Sequence, residues 1–145
     1  MSGAESASSP ATPGWGRALV AAYAFMALAA CARSAVQIAT RFGDAPLAFL
    51  LSAASGAIYV LAAISLSHEG PRARRIATAC CRVELAGVLA IGAWSLIDPG
   101  LFPEATVWSS FGRGYGFFPL VLPVLGLLWL AATRPRELDP SLSDR

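Results

Sequence analysis

Lysine is missing from this 145-residue chain, and all eleven basic residues are arginine. Together with heavy use of alanine, that reads as the codon bias of a high-GC genome and points to a bacterium. Charge of either sign is scarce, 14% of residues against about 25% in an average soluble protein. The net charge of +2 is small and scattered, which excludes a nucleic-acid partner, because that needs a clustered basic face. Cysteine is sparse as well: Cys31, Cys80 and Cys81 have no C-x-x-C spacing and His68 stands alone beside Glu69, so no metal or cofactor site can be assembled. There is no Ser/His/Asp set, no pair of carboxylates in one place and no phosphate loop. The glycines at 112, 114 and 116 alternate too closely for a dinucleotide fingerprint and follow no strand. Enzymology is left without its usual groups.

What the chain has in quantity is apolar sequence, 56% of residues. Four runs, roughly 18–40, 46–66, 76–97 and 117–133, approach the ~20 residues that cross a ~30 Å hydrocarbon core as a helix. The expected fold is all-α, a polytopic membrane protein with a four-transmembrane-helix bundle over residues 17–134. Arg17, the group Arg72, Arg74 and Arg75, and the pair Arg134 and Arg136 fall at alternate connections. Cytoplasmic segments carry the basic excess, which places both termini inside a bacterial cytoplasmic membrane. Residues 1–16 and 135–145 lack an apolar period and read as disordered tails.

Three charged residues and one glutamine interrupt the apolar runs. Arg33 and Gln37 are four apart and share one helix face. In "CCRVELAGVLAIGAWSLI", residues 80–97, Arg82 and Glu84 differ by two positions, about 200° around a helix, so they need separate partners. Arg82 lies near the inner boundary and can snorkel to the headgroups. Glu84 is deeper, and an unpaired charge there costs roughly 2.5 to 3.5 kcal/mol even on insertion scales. The first and third helices, taken as antiparallel, would bring Arg33 within about 8 Å of Glu84 along the membrane normal by the 1.5 Å rise. Arg33, Gln37 and Glu84 are therefore the expected buried polar cluster. Pairing of Glu84 with Arg33, protonation of Glu84 and contact with a second subunit all remain open.

Small residues in the second span, Ser52, Ser55 and Gly56, with Gly87 and Gly92 in the third, signal tight helix contact. The long connection "DPGLFPEATVWSSFGRGYGFFP", residues 98–119, carries Trp108 and Tyr115 and reads as an interfacial aromatic belt on the outer surface. Pro103 and Glu104 suit the start of a short helix reaching to about Ser110. Arg113, among glycines near the start of the fourth helix, is placed to attract a lipid phosphate. Arg82, Trp108, Arg113 and Tyr115 are thus the expected interfacial or lipid-binding residues. Pro123 predicts a kink in the fourth span.

The segments "VELAGVL" in the third span and "GRGYGFFPLVLPVLGLLWL" leading through the fourth resemble small four-span membrane proteins of actinobacteria, over the C-terminal half. The resemblance implies a lineage and brings no activity, cofactor or site residue. The small multidrug transporters are also four-span, but their membrane glutamate lies in the first helix, whereas this acid lies in the third. Two readings of function stand: a non-enzymatic accessory or structural component, or a small oligomeric proton-coupled transporter or channel using Glu84. Its partners are the lipid bilayer and either further copies of itself or another membrane protein.

One pattern offers a different fate for the first span. "LAAC", Leu28 to Cys31, matches the site read by lipoprotein signal peptidase, yet moderately apolar sequence continues past it to Ala39. The span is expected to stay intact. Electrospray mass of the expressed chain should therefore equal that of the uncleaved, unlipidated sequence; a species beginning at Cys31 and carrying acyl groups would reverse this assignment.

Overall fold

The computed structural model of the chain describes residues 13–134. Its architecture is helical, in the order α1 (Pro13–Arg41), α2 (Pro46–Ser67), α3 (Pro71–Ile97), short 3₁₀ segments at Pro99–Leu101 and Ser109–Tyr115, and α4 (Phe118–Ala132). Residues 13–16, expected in the N-terminal tail, already belong to α1; the rest of that tail and residues 135–145 lie outside the described residues. Local chemistry explains where the helices begin. Proline occupies the first turn of α2, α3 and α4, where its missing N–H would have no intrahelical partner and its fixed φ suits the helix. Gly70, at φ 111°, allows the sharp turn between α2 and α3.

Three helices, α1, α2 and α3, are long and apolar enough to cross a membrane. At 1.5 Å per residue, the 29 residues of α1 and 27 of α3 extend about 44 and 40 Å, more than a ~30 Å hydrocarbon core. The 15-residue α4, about 22 Å long by the same rise, reaches membrane-spanning length only together with the 3₁₀ segment before it, from which it is bent by 98°. The sharp break falls at Gly116 and Phe117, both left-handed; Pro123, where a kink is expected, is buried inside α4. Large apolar side chains point outward from every helix, among them Phe25, Leu50, Val83 and Leu128. An apolar shell of that extent belongs in lipid.

Each hairpin reverses the chain, so α1 and α3 run in the same direction, not antiparallel as expected. One end of the bundle gathers the start of α1, the α2–α3 turn and the end of α4, where Arg74 donates to the carbonyl and hydroxyl of Thr133, both at 3.2 Å. The other end holds the α1–α2 turn and the connection 98–117, tied by the ion pair Arg41–Glu104 at 3.7 Å. α1 packs most extensively on α2. Gly56 makes this possible, because a Cβ there would lie 2.8 Å from the Cys31 sulfur. The neighbouring Ser52 and Ser55 turn their hydroxyls onto carbonyls of their own helix, at 2.9 and 2.8 Å, leaving a smooth face for close approach.

The connection 98–117 is exposed at both ends but tucks its middle into the bundle. Thr106, Val107, Trp108 and Ser109 are buried, and the helix expected from Pro103 to Ser110 is absent. Thr106 Oγ1 instead accepts from the amides of Trp108 and Ser109, at 3.1 and 2.9 Å, while Ser109 Oγ accepts from the Thr106 amide at 2.9 Å. Hydroxyls thereby replace water for a backbone that has left it. The Ser95 hydroxyl accepts from the Ser110 amide at 2.8 Å and fastens the loop to α3. Gly112, at φ 78°, completes the tuck; a Cβ there would also meet Pro119 at 2.7 Å.

Trp108 seats directly on Gly87, where a Cβ would approach its ring to 2.8 Å. Gly87→Val should therefore lower stability in detergent by about 1–3 kcal/mol through overpacking. In a Trp108→Ala background the same substitution should cost less than half as much, read by reversible unfolding and a double-mutant cycle. Additive losses would mean that the two residues do not touch.

Candidate functional site

The helices converge on one carboxyl group. Ala77, Cys81, Glu84 and Val88 recur at three- and four-residue intervals on α3, so they line one face, and all are buried. Glu84 itself has no exposed surface. Its Oε2 accepts a hydrogen bond from the Tyr23 hydroxyl of α1 at 2.9 Å. That hydroxyl also lies 3.5 Å from the Cys81 sulfur, one turn earlier on α3. Tyr59 of α2 packs its ring against Tyr23 with centroids 6.1 Å apart at 50°, a favourable tilted arrangement. The Tyr59 hydroxyl stands beside both Glu84 and the Trp108 indole. From α4 comes Gly126, where a Cβ would lie 2.8 Å from the Cys81 sulfur and 3.6 Å from the Tyr23 hydroxyl. Four helices and the inserted loop thus meet within one layer.

Glu84 is fully buried, but its partner is not the expected Arg33. Tyr23, which marks the level of Glu84 on α1, precedes Arg33 by ten residues, about 15 Å along the axis at 1.5 Å per residue. An arginine side chain cannot cover that distance. Arg33 serves the loop: Nη1 donates to the Tyr115 hydroxyl and Nη2 to the Ala105 carbonyl, each at 3.4 Å. Its guanidinium carbon also lies 5.8 Å from the Tyr115 ring centroid, within cation–π range. Gln37 is buried one turn further on, with its Oε1 unpartnered, and joins neither Arg33 nor Glu84. The expected cluster of Arg33, Gln37 and Glu84 is therefore replaced by Tyr23, Tyr59, Cys81, Glu84 and Trp108.

The interfacial group divides in the same way. Trp108 is 5% exposed and part of the core, not a belt residue. Tyr115 is half-buried against the core and held by Arg33. Arg113 is exposed, and so is Arg82, which lies on the opposite side of α3 from Glu84 and faces a cleft toward α4. The sequence signal that would have found Tyr23 and Tyr59 is their depth. Tyrosine in a membrane protein concentrates at the interface, so a mid-span tyrosine needs a buried polar partner.

Chemically, the centre is a buried network of hydroxyl, thiol, carboxyl and indole groups. Glu84 Oε1, Tyr59 Oη and Trp108 Nε1 are buried without a partner meeting hydrogen-bond geometry, so the network has spare capacity on the α2 side. Among the described residues, no three His, Cys, Asp or Glu side chains come together as a metal site. No family model, curated protein or solved structure matches this chain.

Substitutions at the centre should separate its parts. Tyr23→Phe removes the donor to Glu84 and should cost about 1–3 kcal/mol of stability in detergent. Glu84→Gln keeps an acceptor for Tyr23 and breaks no ion pair, so it should cost less than about 1 kcal/mol, against roughly 2–4 for Glu84→Ala, which also opens a cavity. Arg33→Gln and Glu84→Gln should be additive within about 0.5 kcal/mol. A larger coupling would restore the direct pair.

Proposed function

We propose that the chain is a non-enzymatic integral component of a bacterial cytoplasmic membrane, passing through it four times with both termini inside. Its buried acid serves helix packing. The apolar outer shell supports the membrane setting, and the arginine asymmetry supports the orientation. Arg72, Arg74, Arg75 and Arg134 lie at one end of the bundle, whereas at the other the exposed Arg41 is offset by the half-buried Glu104. The fourth crossing combines the Ser109–Tyr115 segment with α4. The pair is bent, so this crossing is a broken span whose first part is anchored in the protein through the buried Ser109 and Gly112, since irregular backbone at membrane depth needs protein partners.

The observation that carries the packing role is the enclosure of Glu84. A transported proton or cation must reach its carboxylate from water, and this one has no exposed surface. The clefts of about 530, 600 and 750 Å³ that open at the arginine-bearing end are lined by segments 16–21, 65–82 and 127–134, and none of them by Glu84. Each helix adds a side chain or a close backbone contact to the same layer, the expected economy of a register-fixing centre.

Purified protein reconstituted into liposomes containing a pH-sensitive dye should dissipate an imposed pH gradient no faster than protein-free liposomes, and Glu84→Gln should leave the rate unchanged. Flux that is abolished by Glu84→Gln would replace this reading with a transporter. Reporter fusions at the two ends should both register the cytoplasm; opposite sides would leave an odd number of crossings, with α4 not spanning.

A further inference from the structure

Four arginines face one cleft. Arg74, Arg75 and Arg82 project from α3 and Arg134 from the end of α4, around a cavity of about 530 Å³ whose wall also includes Thr78 and Leu130. Arg75 and Arg82 are seven residues apart, two turns on the same face, about 10 Å along α3 at 1.5 Å per residue. Arg74 is occupied in part, bridging to Thr133 at 3.2 Å, which leaves Arg75, Arg82 and Arg134 as the exposed members.

Like charges gathered along one cleft repel unless an anion joins them. Among the described residues none of the lining side chains is acidic, and Glu69 lines a neighbouring cleft on the far side of Arg74 and Arg75. The one ion pair found among the described residues is at the opposite end of the bundle. The level of the cleft identifies the anion's source. With α3 about 10 Å longer than a ~30 Å core and the arginine-bearing end at the membrane surface, its first turns, with Arg74 and Arg75, would stand in the headgroup layer. Arg82 sits below them at the edge of the hydrocarbon. A charged ladder that starts among headgroups and descends beside the apolar Leu130 fits a molecule with a phosphate above and acyl chains below. Arginine's planar fork suits phosphate oxygens, and basic pockets between membrane helices are a recurrent form of anionic-lipid site.

We propose that the α3–α4 cleft binds the phosphate headgroup of an anionic phospholipid, held by Arg75, Arg82 and Arg134, with an acyl chain against α4. The site lies on the outside of α3, turned away from Glu84, and requires only that the helices sit in a bilayer.

Native mass spectrometry of the full-length protein in neutral detergent, titrated with phosphatidylglycerol and with phosphatidylcholine, tests this. Phosphatidylglycerol should form a one-to-one adduct at least tenfold tighter than phosphatidylcholine. Arg82→Gln combined with Arg134→Gln should weaken it at least tenfold, and Arg75→Gln, should the double variant lose its helical circular dichroism, at least threefold. Arg72→Gln, whose side chain is exposed outside the cleft, should leave it unchanged. Glycerol 3-phosphate at millimolar concentration should fail to displace the lipid; displacement would assign the cleft to a free phosphate and overturn the lipid proposal. Equal binding of the two lipids, indifference to the cleft variants, or an equal loss on Arg72→Gln would also overturn it, the last by reducing the effect to general surface charge.

Discussion

The hydrogen bond from Tyr23 to Glu84 sets the register of this bundle. In lipid the hydrophobic effect does not press helices together, so their relative positions rest on close packing and on polar groups that have nowhere else to turn. A carboxyl with no exposed surface cannot slide along its neighbour without losing its donor, and the lost bond has no water to replace it. Fixing Glu84 against Tyr23 aligns α3 with α1. The Tyr23–Tyr59 ring contact then brings α2 to the same level, and Gly126 lets α4 close over the Cys81 sulfur.

The inserted connection depends on this layer in turn. Trp108 fills the space beside Gly87, one turn from Glu84, and the loop must enter the bundle to deliver it. Entering strips water from its backbone. Thr106, Ser109 and Ser95 supply the lost hydrogen bonds locally, and Arg33 clamps the far side through Ala105 and Tyr115. The left-handed backbone at Ser110 and Phe111, unusual for residues with a Cβ, is sustained by these contacts. Arg33, deep in α1 by sequence, thus stabilises an irregular segment instead of neutralising a buried acid.

The two ends of the molecule therefore differ in kind. One is an aromatic and hydroxyl-rich plug held by short polar contacts. The other is arginine-rich and cleft-bearing, with Arg74 tying α3 to Thr133, which caps α4. That polarity places the arginines at one end of the bundle, and it keeps Glu84 remote from the charged surface.

Much of this was legible in the sequence because it depends on solvent preference and local chemistry alone. The apolar runs give the helices their lengths, prolines mark three helix starts, arginines distinguish one end from the other, and Glu84 stands out as the one acid deep in a span. The small residues at Gly56 and Gly87 announce close contacts, though not with whom. Tertiary structure decided the partners. Arg33 and Glu84 look complementary by charge and depth, yet hairpin reversal makes α1 and α3 parallel and offsets them by about ten residues, some 15 Å, so the acid meets Tyr23. Trp108 reads as a belt residue by composition, because nothing in its own neighbourhood says that a cavity above Gly87 awaits it. Periodicity and hydropathy are properties of one segment at a time, whereas a buried polar contact is a property of two segments brought to the same height, and only the packed bundle sets that height.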